Sequence, residues 1–188
     1  STSVNPSKSY TSYGSRTVTL ITNTNQSCKD TATVAIRVYG MPQPAFSVND
    51  SSQCFRPHQI SITNSSSNQE GSISSTLWSF GDGNSSSASA PNHKYSQAGN
   101  YTITLNLSSS LGCKDSVKKN VYIYPNANVS YTINDNTQCL RGNSFDFTNT
   151  SSISSGTITY QWNFGQGSPS TNTSPTKVYT TASSFNVE

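Results

Sequence analysis

Charge is scarce in this sequence. Only 10% of its 188 residues are Asp, Glu, Lys or Arg, and the 11 basic and 8 acidic side chains are scattered rather than clustered. Because a nucleic-acid backbone is held by a basic stripe, this distribution excludes nucleic acid as a partner. Long apolar runs are also missing: none approaches the roughly 18 residues of a transmembrane helix, and no signal peptide begins the chain. We therefore expect a mature or internal segment without membrane insertion.

Hydrophobic residues are also few. They make up 31% of the chain, well below the roughly 45–50% that is typical of soluble domains. The remainder is rich in Ser, Thr and Asn, a composition that would suit a disordered tail. However, the apolar residues alternate in short runs, and no stretch shows the sustained periodicity of an amphipathic helix. The sequence therefore predicts small all-β domains with thin cores and essentially no helix.

Two alternating segments joined by a glycine turn stand at the centre of the chain. Trp78 and Phe80 fall on one face of a predicted strand, because successive side chains in a strand point to opposite faces. The segment YTITLNL at 101–107 alternates in the same way. Between them lies Gly81-Asp82-Gly83, which is typical of a tight turn, since glycine accepts positive φ and aspartate can bond its own backbone.

This pattern repeats along the chain. WSFGDG at 78–83 returns as WNFGQG at 162–167, and QC at 53–54 returns as QC at 138–139, with nearly the same offset for both segments. Such an offset is the mark of an internal repeat. We divide the chain into the C-terminal half of one repeat (1–40), a complete repeat (41–125) and the N-terminal part of a third (126–188). Because a sandwich needs all of its strands, we expect a longer tandem array that is cut at both ends.

The repeated segments resemble the PKD (polycystic kidney disease) domain, an immunoglobulin-like module. Its signature is an aromatic strand, an FGDG turn and then HxYxxxGxY, which this chain carries as WSFGDG followed by HKYSQAGNYTITL at 93–105. The resemblance implies tandem β-sandwiches that form a rod. It also implies a structural role for the residues that carry the motif, which are Trp78, Phe80, Gly81, Asp82, Gly83, Tyr95, Gly99, Tyr101, Trp162, Phe164, Gly165, Gly167 and Tyr179.

Seven strands are predicted in the complete repeat, at about 44–49, 58–64, 75–80, 84–88, 92–96, 100–108 and 116–124. Prolines at Gly40-Met41-Pro42 and Tyr124-Pro125-Asn126 stiffen the two predicted junctions. The predicted core consists of Phe46, Ile60, Ile62, Leu77, Trp78, Phe80, Tyr95, Tyr101, Ile103, Leu105, Val121 and Ile123.

The four cysteines occupy two positions of the repeat: Cys28 and Cys113 follow the sixth strand, and Cys54 and Cys139 follow the first. One alternative is a disulfide within each domain, Cys54 to Cys113. In an immunoglobulin-like topology these loops lie at opposite ends, whereas a disulfide needs Cα atoms within about 7 Å. We slightly prefer bonds between neighbouring domains, with partners outside this sequence. Either alternative implies an oxidising, extracytoplasmic setting, and without a CxxC motif a zinc site is disfavoured.

No catalytic residue is predicted. A Ser-His-Asp triad could be composed from His93, Asp82 and one of many serines. The repeat, however, places Lys8 and Lys177 at the position of His93, and Gln166 at the position of Asp82. A turn tolerates these replacements far better than a triad does. We therefore interpret His93 and Asp82 as structural.

No cofactor or metal site is predicted either. His58 has no counterpart in the other repeats and is interpreted as a loop residue. Some PKD modules bind calcium near their ends, but hard cations prefer clustered carboxylates. The candidate carboxylates are isolated from one another in the sequence: Asp50, Asp82, Asp135 and Asp146.

Two modification signals are present. Asp30-Thr31-Ala32 and Asp115-Ser116-Val117 fall at one repeat position and resemble the D-(S/T)-(aliphatic or small) O-glycosylation motif of gliding bacteria. We hypothesise O-linked sugars on Thr31 and Ser116; the alternative is a plain turn with a hydroxyl cap. Asn-x-Ser/Thr sequons also occur, but a chain this rich in Asn, Ser and Thr produces them by chance.

The resemblance implies a non-catalytic stalk of a large secreted or cell-surface adhesin, similar to the gliding-motility adhesins that the type IX secretion system exports. The expected partners are neighbouring repeats of the same chain, and then other copies in a filament or a surface polysaccharide. The alternative is a set of PKD spacer or polysaccharide-binding accessory modules of a secreted hydrolase. Both interpretations place the segment outside the cell.

Overall fold

The computed structural model describes residues 4–188, so residues 1–3 of the predicted first repeat lie outside the described part. Its regular elements are strands, in chain order β1 (Gly14–Asn23), β2 (Lys29–Val38), β3 (Pro42–Gln43), β4 (Phe46–Val48), β5 (Ser52–Cys54), β6 (Ile60–Asn64), β7 (Ser67–Asn68), β8 (Ile73–Ser79), β9 (Ser85–Ser86), β10 (Asn92–His93), β11 (Gly99–Ser109), β12 (Lys114–Tyr124), β13 (Tyr131–Ile133), β14 (Phe145–Asn149) and β15 (Thr176–Lys177). Across residues 4–188 no helix is long and apolar enough to cross a membrane. The all-β prediction is confirmed.

The chain divides into two compact units. The first comprises the chain up to Ser52 together with Gln59–Tyr95 and Asn100–Tyr122. The second comprises Gln53–His58, Ser96–Gly99 and Ile123–Glu188.

The first unit begins with the hairpin of β1 and β2, an antiparallel pair that runs in register from Gly14↔Val38 to Asn23↔Lys29 and forms its own sheet. The strands that follow form sheets in the orders β10-β6-β4, β5-β12-β11-β8-β9 and β3-β7. Alternation along these strands directs one face inward. The buried hydrophobic side chains of this unit are Phe46, Ile60, Ile62, Trp78, Phe80, Tyr95, Ile103, Leu105, Leu107 and Val121. Ile123, near the end of β12, is also buried but belongs to the second unit.

The predicted core differs from the observed one at three residues. Leu77 is wrong: its side chain is 47% exposed, because it precedes the buried Trp78 in β8 and therefore points to the opposite face. Tyr101 is only partly buried. Leu107, which follows Ile103 and Leu105 in the alternation of β11, is buried and was missed.

The second unit is built on the sheet β13-β14-β15. Opposite strands pair from Tyr131↔Asn149 to Ile133↔Phe147, and an isolated bridge joins Trp162 to Ser170. Its buried cluster is aromatic: Phe147, Trp162, Phe164 and Tyr179. Partly buried side chains pack against that cluster, namely Ile133, Phe145, Tyr160, Phe185 and Val187.

The loops of both units are stabilised by bonds from polar side chains to the backbone two residues further on. Asn64 Oδ1 accepts the N–H of Ser66 at 3.0 Å, and Asn149 Oδ1, at the equivalent position of the next repeat, accepts the N–H of Ser151 at 2.8 Å. Ser86 Oγ likewise accepts from the backbone of Ala88. Such turns explain why a chain rich in Asn and Ser is ordered in its loops.

Candidate functional site

The glycine turn after β8 requires its first glycine. Gly81 has φ +84°, a left-handed conformation that residues with a Cβ rarely adopt. A Cβ at Gly81 would also lie 2.9 Å from the backbone N and O of Thr102 in β11. At Gly83, whose φ is +90°, a Cβ would meet nothing within 4 Å. The two glycines of the motif are therefore unequal: only Gly81 allows the close approach of another strand.

Two side-chain hydrogen bonds fix the chain around this turn. Trp78 Nε1 donates to the carbonyl of Ala88 at 2.9 Å, and Tyr95 Oη donates to the carbonyl of Phe80 at 3.0 Å. Burial raises the pKa of Tyr95, and the nearby negative charge of Asp82 adds to that effect. The hydroxyl therefore stays protonated and remains a donor.

The structure brings Asp82 and His93 together. His93 Nε2 lies 2.7 Å from Asp82 Oδ2, and the same carboxylate accepts bonds from the backbone and side chain of Asn84, each at 3.0 Å. Burial acts to raise the pKa of Asp82, but the hydrogen bonds from Asn84 and His93 outweigh it, so this pKa lies below its usual value. The carboxylate is ionised above the acid range.

The His93 ring is packed between aromatic side chains. It stacks on Phe80 with the ring centroids 4.0 Å apart and meets the ring of Tyr95 edge to face at 4.7 Å. Both His93 and Asp82 are largely buried. A catalytic histidine needs a nitrogen presented to substrate, whereas this ring is held flat against the core with Nε2 directed at Asp82. The geometry favours the structural interpretation of the pair.

The second unit repeats the two anchoring bonds with other turn residues. Trp162 Nε1 donates to the carbonyl of Asn172 at 2.9 Å, and Tyr179 Oη donates to the carbonyl of Phe164 at 2.9 Å. A Cβ on Gly165 would lie 2.9 Å from the carbonyl oxygen of Asn186. These contacts match those of the first unit position by position.

Lys177 takes the place of His93 in this second copy. Its Nζ lies 5.3 Å above the centre of the Phe164 ring, within the range of a cation–π contact. Gln166, in the place of Asp82, donates instead to Thr181 Oγ1 at 3.2 Å. The aromatic strand is thus covered by a cation instead of an imidazole, without an ion pair between the two positions.

One residue of the aromatic site was missed in the sequence. Phe185 stacks on Tyr179 with centroids 4.1 Å apart, as Tyr101 stacks on Tyr95 at 3.8 Å. Phe185 holds the position of Tyr101 in the next repeat, so the repeat spacing was the signal that could have found it. Gly99, also part of the motif, begins β11.

All four cysteines are free thiols in the structure. Cys113 closes a tight turn in which its N–H bonds Ser109 Oγ at 3.2 Å, and Cys28 does the same with Thr24 Oγ1 at 3.2 Å. No Cys54–Cys113 bond is formed among them. Bonds to partners outside this sequence stay a prediction.

The predicted modification sites have one local geometry. Asp30 Oδ1 accepts the N–H of Thr31 at 2.7 Å, and Asp115 Oδ1 accepts the N–H of Ser116 at 2.7 Å. Thr31 and Ser116 are both exposed near the start of a strand. Each aspartate therefore presents a hydroxyl residue to solvent in the same way.

The junction before β3 contains an ion pair. Arg37 at the end of β2 binds Glu70, whose Oε2 also accepts the N–H of the buried Gly40 at 3.3 Å. The hydrogen bond from Arg37, followed by that from Gly40, lowers the pKa of Glu70.

His58 lies in the loop after β5, where its Nδ1 donates to the carbonyl of Phe55 at 2.6 Å. Within residues 4–188, His, Cys, Asp and Glu side chains do not gather into any group of three that would suit a metal ion.

Parts of this chain are similar in sequence to known proteins. It is 38% identical over 65 residues, which is 34% of this chain, to the pre-pro-metalloprotease PrtV of Vibrio cholerae serotype O1. A microbial collagenase of Vibrio alginolyticus is 44% identical over 55 residues, 28% of this chain. The chain spans 7% of the length of each of these relatives. The crystal structure of the PKD1 domain of Vibrio cholerae PrtV is 29% identical and covers 44% of this chain and 96% of its own, with a TM-score of 0.40.

Family comparison covers most of the chain. Residues 42–124 and residues 127–188 each match a PKD domain. The matched ranges contain both copies of the aromatic turn, with its Trp and Tyr hydrogen bonds. The chain therefore belongs to the PKD domain family, of which it contains two tandem members.

Proposed function

We propose that these PKD domains are non-catalytic spacer modules of a secreted bacterial hydrolase. The observation that carries the proposal is the use of the motif residues: Trp78, Tyr95 and Asp82 bond to the backbone or to neighbouring residues of their own turn. The same anchors recur in the second domain, where Lys177 and Gln166 replace the His93 and Asp82 pair. A site whose polar residues change while its packing persists is typical of a scaffold rather than of chemistry.

The relatives favour a hydrolase as the carrier of these domains. Both curated relatives are named as proteases, one a pre-pro-metalloprotease and the other a microbial collagenase. We infer from them that the chain works outside the cell. The ion pair of Arg37 and Glu70, together with the bond to Gly40, stiffens one junction, which suits a module that holds its neighbours apart.

Binding to insoluble substrate tests the spacer role directly. The purified chain is mixed with insoluble collagen, cellulose or chitin, and the protein left in the supernatant is measured after centrifugation. A spacer stays in the supernatant at every load of polymer. Depletion by one polymer, saturable and competed by its soluble fragments, contradicts the spacer role and establishes a binding module.

A stalk of a cell-surface adhesin is the second candidate. The repeat spacing favours it, because it makes β1 and β2 the repeat equivalents of β11 and β12. In this alignment Gly14 corresponds to Gly99 and Cys28 to Cys113. Peptide mapping of the native polypeptide distinguishes the two candidates. Many such repeats without a catalytic domain establish the stalk, and a few repeats beside a protease domain establish the hydrolase.

O-linked sugars on Thr31 and Ser116, and disulfides between neighbouring domains, remain part of this proposal. Intact-mass analysis of native material tests the first: added hexose that disappears in a Thr31→Ala, Ser116→Ala double variant supports it. Unchanged mass in the native protein contradicts it. Peptide mapping without reduction tests the second, since it identifies the sulfur atoms joined to Cys54 and Cys113.

A further inference from the structure

Strand β12 has an open edge along its first half. The N–H of Tyr122 donates to the carbonyl of Ser51 at 2.7 Å, so the backbone groups of Tyr122 point to the side of β5. Because these groups alternate between the two sides of a strand, those of Lys118 and Asn120 point to the same side. Strand β5 is only 3 residues long, and within residues 4–188 no other strand pairs with β12 there. The N–H and C=O groups of Lys118 and Asn120 therefore lie on an edge that no strand covers.

A groove beside this edge leaves room for a further strand. It is open to solvent, has a volume of about 530 Å³, and is lined by the end of β4 and the loop to β5, residues 47–51, together with Lys119 and Asn120. The loop makes its own turn, since Asp50 Oδ1 accepts the N–H of Ser52 at 2.9 Å. All of these residues belong to the complete PKD domain, residues 42–124, so the groove is a feature of an intact domain.

The open edge carries positive charge. Lys118 and Lys119 are the only two basic residues that are adjacent in the sequence. Lys114 and Lys118 both lie on the outer face of β12, because alternation places them opposite to the buried Val121. Lysines on a free edge discourage pairing with another such edge, whereas opposite charges directly across a strand pair stabilise it. This edge therefore favours a strand that carries carboxylates.

We propose that the open edge of β12 binds an extended acidic segment of a partner protein, which adds to the sheet as a further strand. The carboxylates on the outer face of this segment contact Lys114 and Lys118. Asp115 Oδ1 already accepts the N–H of Ser116 at 2.7 Å, so Lys118 and Asn120 supply the N–H donors of the new strand pair. Addition of a strand to a free sheet edge is a general mode of peptide recognition.

A second copy of this chain does not supply such a segment. Contact with both Lys114 and Lys118 requires carboxylates on one face of the segment, which means acidic residues two or four positions apart. No two of the 8 acidic residues of the sequence have either spacing. The partner is therefore a chain of different sequence, and the spacer role does not depend on this site.

Nuclear magnetic resonance of the isotope-labelled chain tests strand addition. The probe is a peptide of about eight residues in which glutamate and threonine alternate, and its control has glutamine in place of glutamate. We expect saturable binding of the acidic peptide that slows hydrogen exchange at the amides of Lys118 and Asn120 and leaves that of Lys119, which points to β11, unchanged. The absence of binding, or equal binding of both peptides, overturns the proposal. Spectral changes that spread over the surface without protection of these two amides would show unspecific attraction and overturn it as well.

Three variants separate the contribution of charge from that of the backbone. Lys118→Gln removes one contacting charge and should weaken binding about two- to fivefold. Lys94→Gln is the matched control, because it removes the same charge at an exposed lysine that follows β10 in the other sheet, and it should bind like the parent chain. Lys118→Pro removes the N–H at the open edge, where a sheet tolerates proline, and should abolish binding.

Two outcomes of this series contradict strand addition. One is a loss in Lys94→Gln equal to that in Lys118→Gln, and the other is binding by Lys118→Pro as strong as by Lys118→Gln. Protection of the Lys118 amide that appears when the parent chain is concentrated without peptide would show pairing between copies, which overturns the choice of partner.

Discussion

The two PKD domains build the same turn with different chemistry. In residues 42–124 an imidazole stacks on Phe80 and bonds to the carboxylate of Asp82. In residues 127–188 the ammonium of Lys177 lies over Phe164, and Gln166 turns away to Thr181. The anchoring bonds from Trp and Tyr to backbone carbonyls are nearly equal in length in both domains. The fold thus depends on the anchors and tolerates change at the two polar positions.

The largest expected effect is the loss of unfolding free energy when the tryptophan of each domain is removed. Trp78→Ala removes a completely buried side chain and should cost about 3–5 kcal/mol of unfolding free energy. Trp162→Ala should cost less, because Trp162 is 6% exposed and borders a cavity of about 240 Å³, so its removal loses fewer packing contacts. Urea titration followed by hydrogen-exchange mass spectrometry reports each domain separately. Leu77→Ala is the control beside Trp78; a comparable loss there would mean that burial does not set the cost.

The glycine turns come next. Gly81→Ala adds a Cβ against the Thr102 backbone in a left-handed conformation, whereas Gly83→Ala adds one in open space. We expect about 1–2 kcal/mol for the backbone conformation in both, and about 1–3 kcal/mol more for Gly81→Ala from the clash. Gly165→Ala should behave like Gly81→Ala, because its Cβ meets the Asn186 carbonyl. Thermal unfolding of the parent and the three variants would show equal shifts for all three variants if the close approach of strands were unimportant.

The tyrosine anchors should be equivalent in the two domains. Tyr95→Phe and Tyr179→Phe each remove a buried donor and leave a carbonyl unpaired, at Phe80 and at Phe164 respectively. Each should destabilise its own domain by about 1–3 kcal/mol. The measurement is the urea midpoint of exchange for peptides from each domain. A loss in only one of the two would show that the hydroxyl is dispensable in the other.

The smallest expected difference between the two domains is in how their folding stability depends on pH in the acid range. Asp82 has a lowered pKa when folded, so its stabilisation is present above its unfolded pKa of about 3.9 and is lost as the pH falls through the lower folded value. Residues 42–124 should therefore lose stability below about pH 4, and Asp82→Asn should flatten that dependence.

The exchange of side chains is the converse measurement. Gln166→Asp combined with Lys177→His installs the carboxylate–imidazole hydrogen bond in residues 127–188, which should then acquire the same loss of stability in acid. Protein unfolding is followed by fluorescence at a series of pH values. If Asp82→Asn retains the acid dependence of the parent, another carboxylate is responsible.

Sequence reasoning found the parts that depend on long-range repetition and local alternation. Trp78, Phe80 and Tyr95 were predicted as core because each recurs at the equivalent position of the next repeat and carries the motif. The prediction of Leu77 as a core residue is wrong because it rests on hydrophobicity alone, whereas strand alternation places Leu77 on the face opposite to Trp78.

The rest depended on contacts that no single segment encodes. Strands β3 and β7 are two residues long and are defined by pairing with each other, as in Pro42↔Asn68, so neither carries a pattern of its own. The same holds for the contact of His93 with Asp82, which joins the turn to β10. Sequence alone suggested that both residues are structural but did not show that they meet.

Because the loops are held by their own Asn and Ser side chains, their structure should depend little on the salt concentration of the medium. Bonds such as Asn64 to Ser66 and Asn149 to Ser151 join neutral groups close together in the chain. Dissolved salt screens the attraction between exposed charges that lie farther apart than about 10 Å at 0.1 M salt, and at still shorter separations in brine, but it leaves neutral hydrogen bonds of this kind almost unchanged. The loops of a chain with so few charged residues should therefore keep the same hydrogen-bonded conformation in fresh water and in brine.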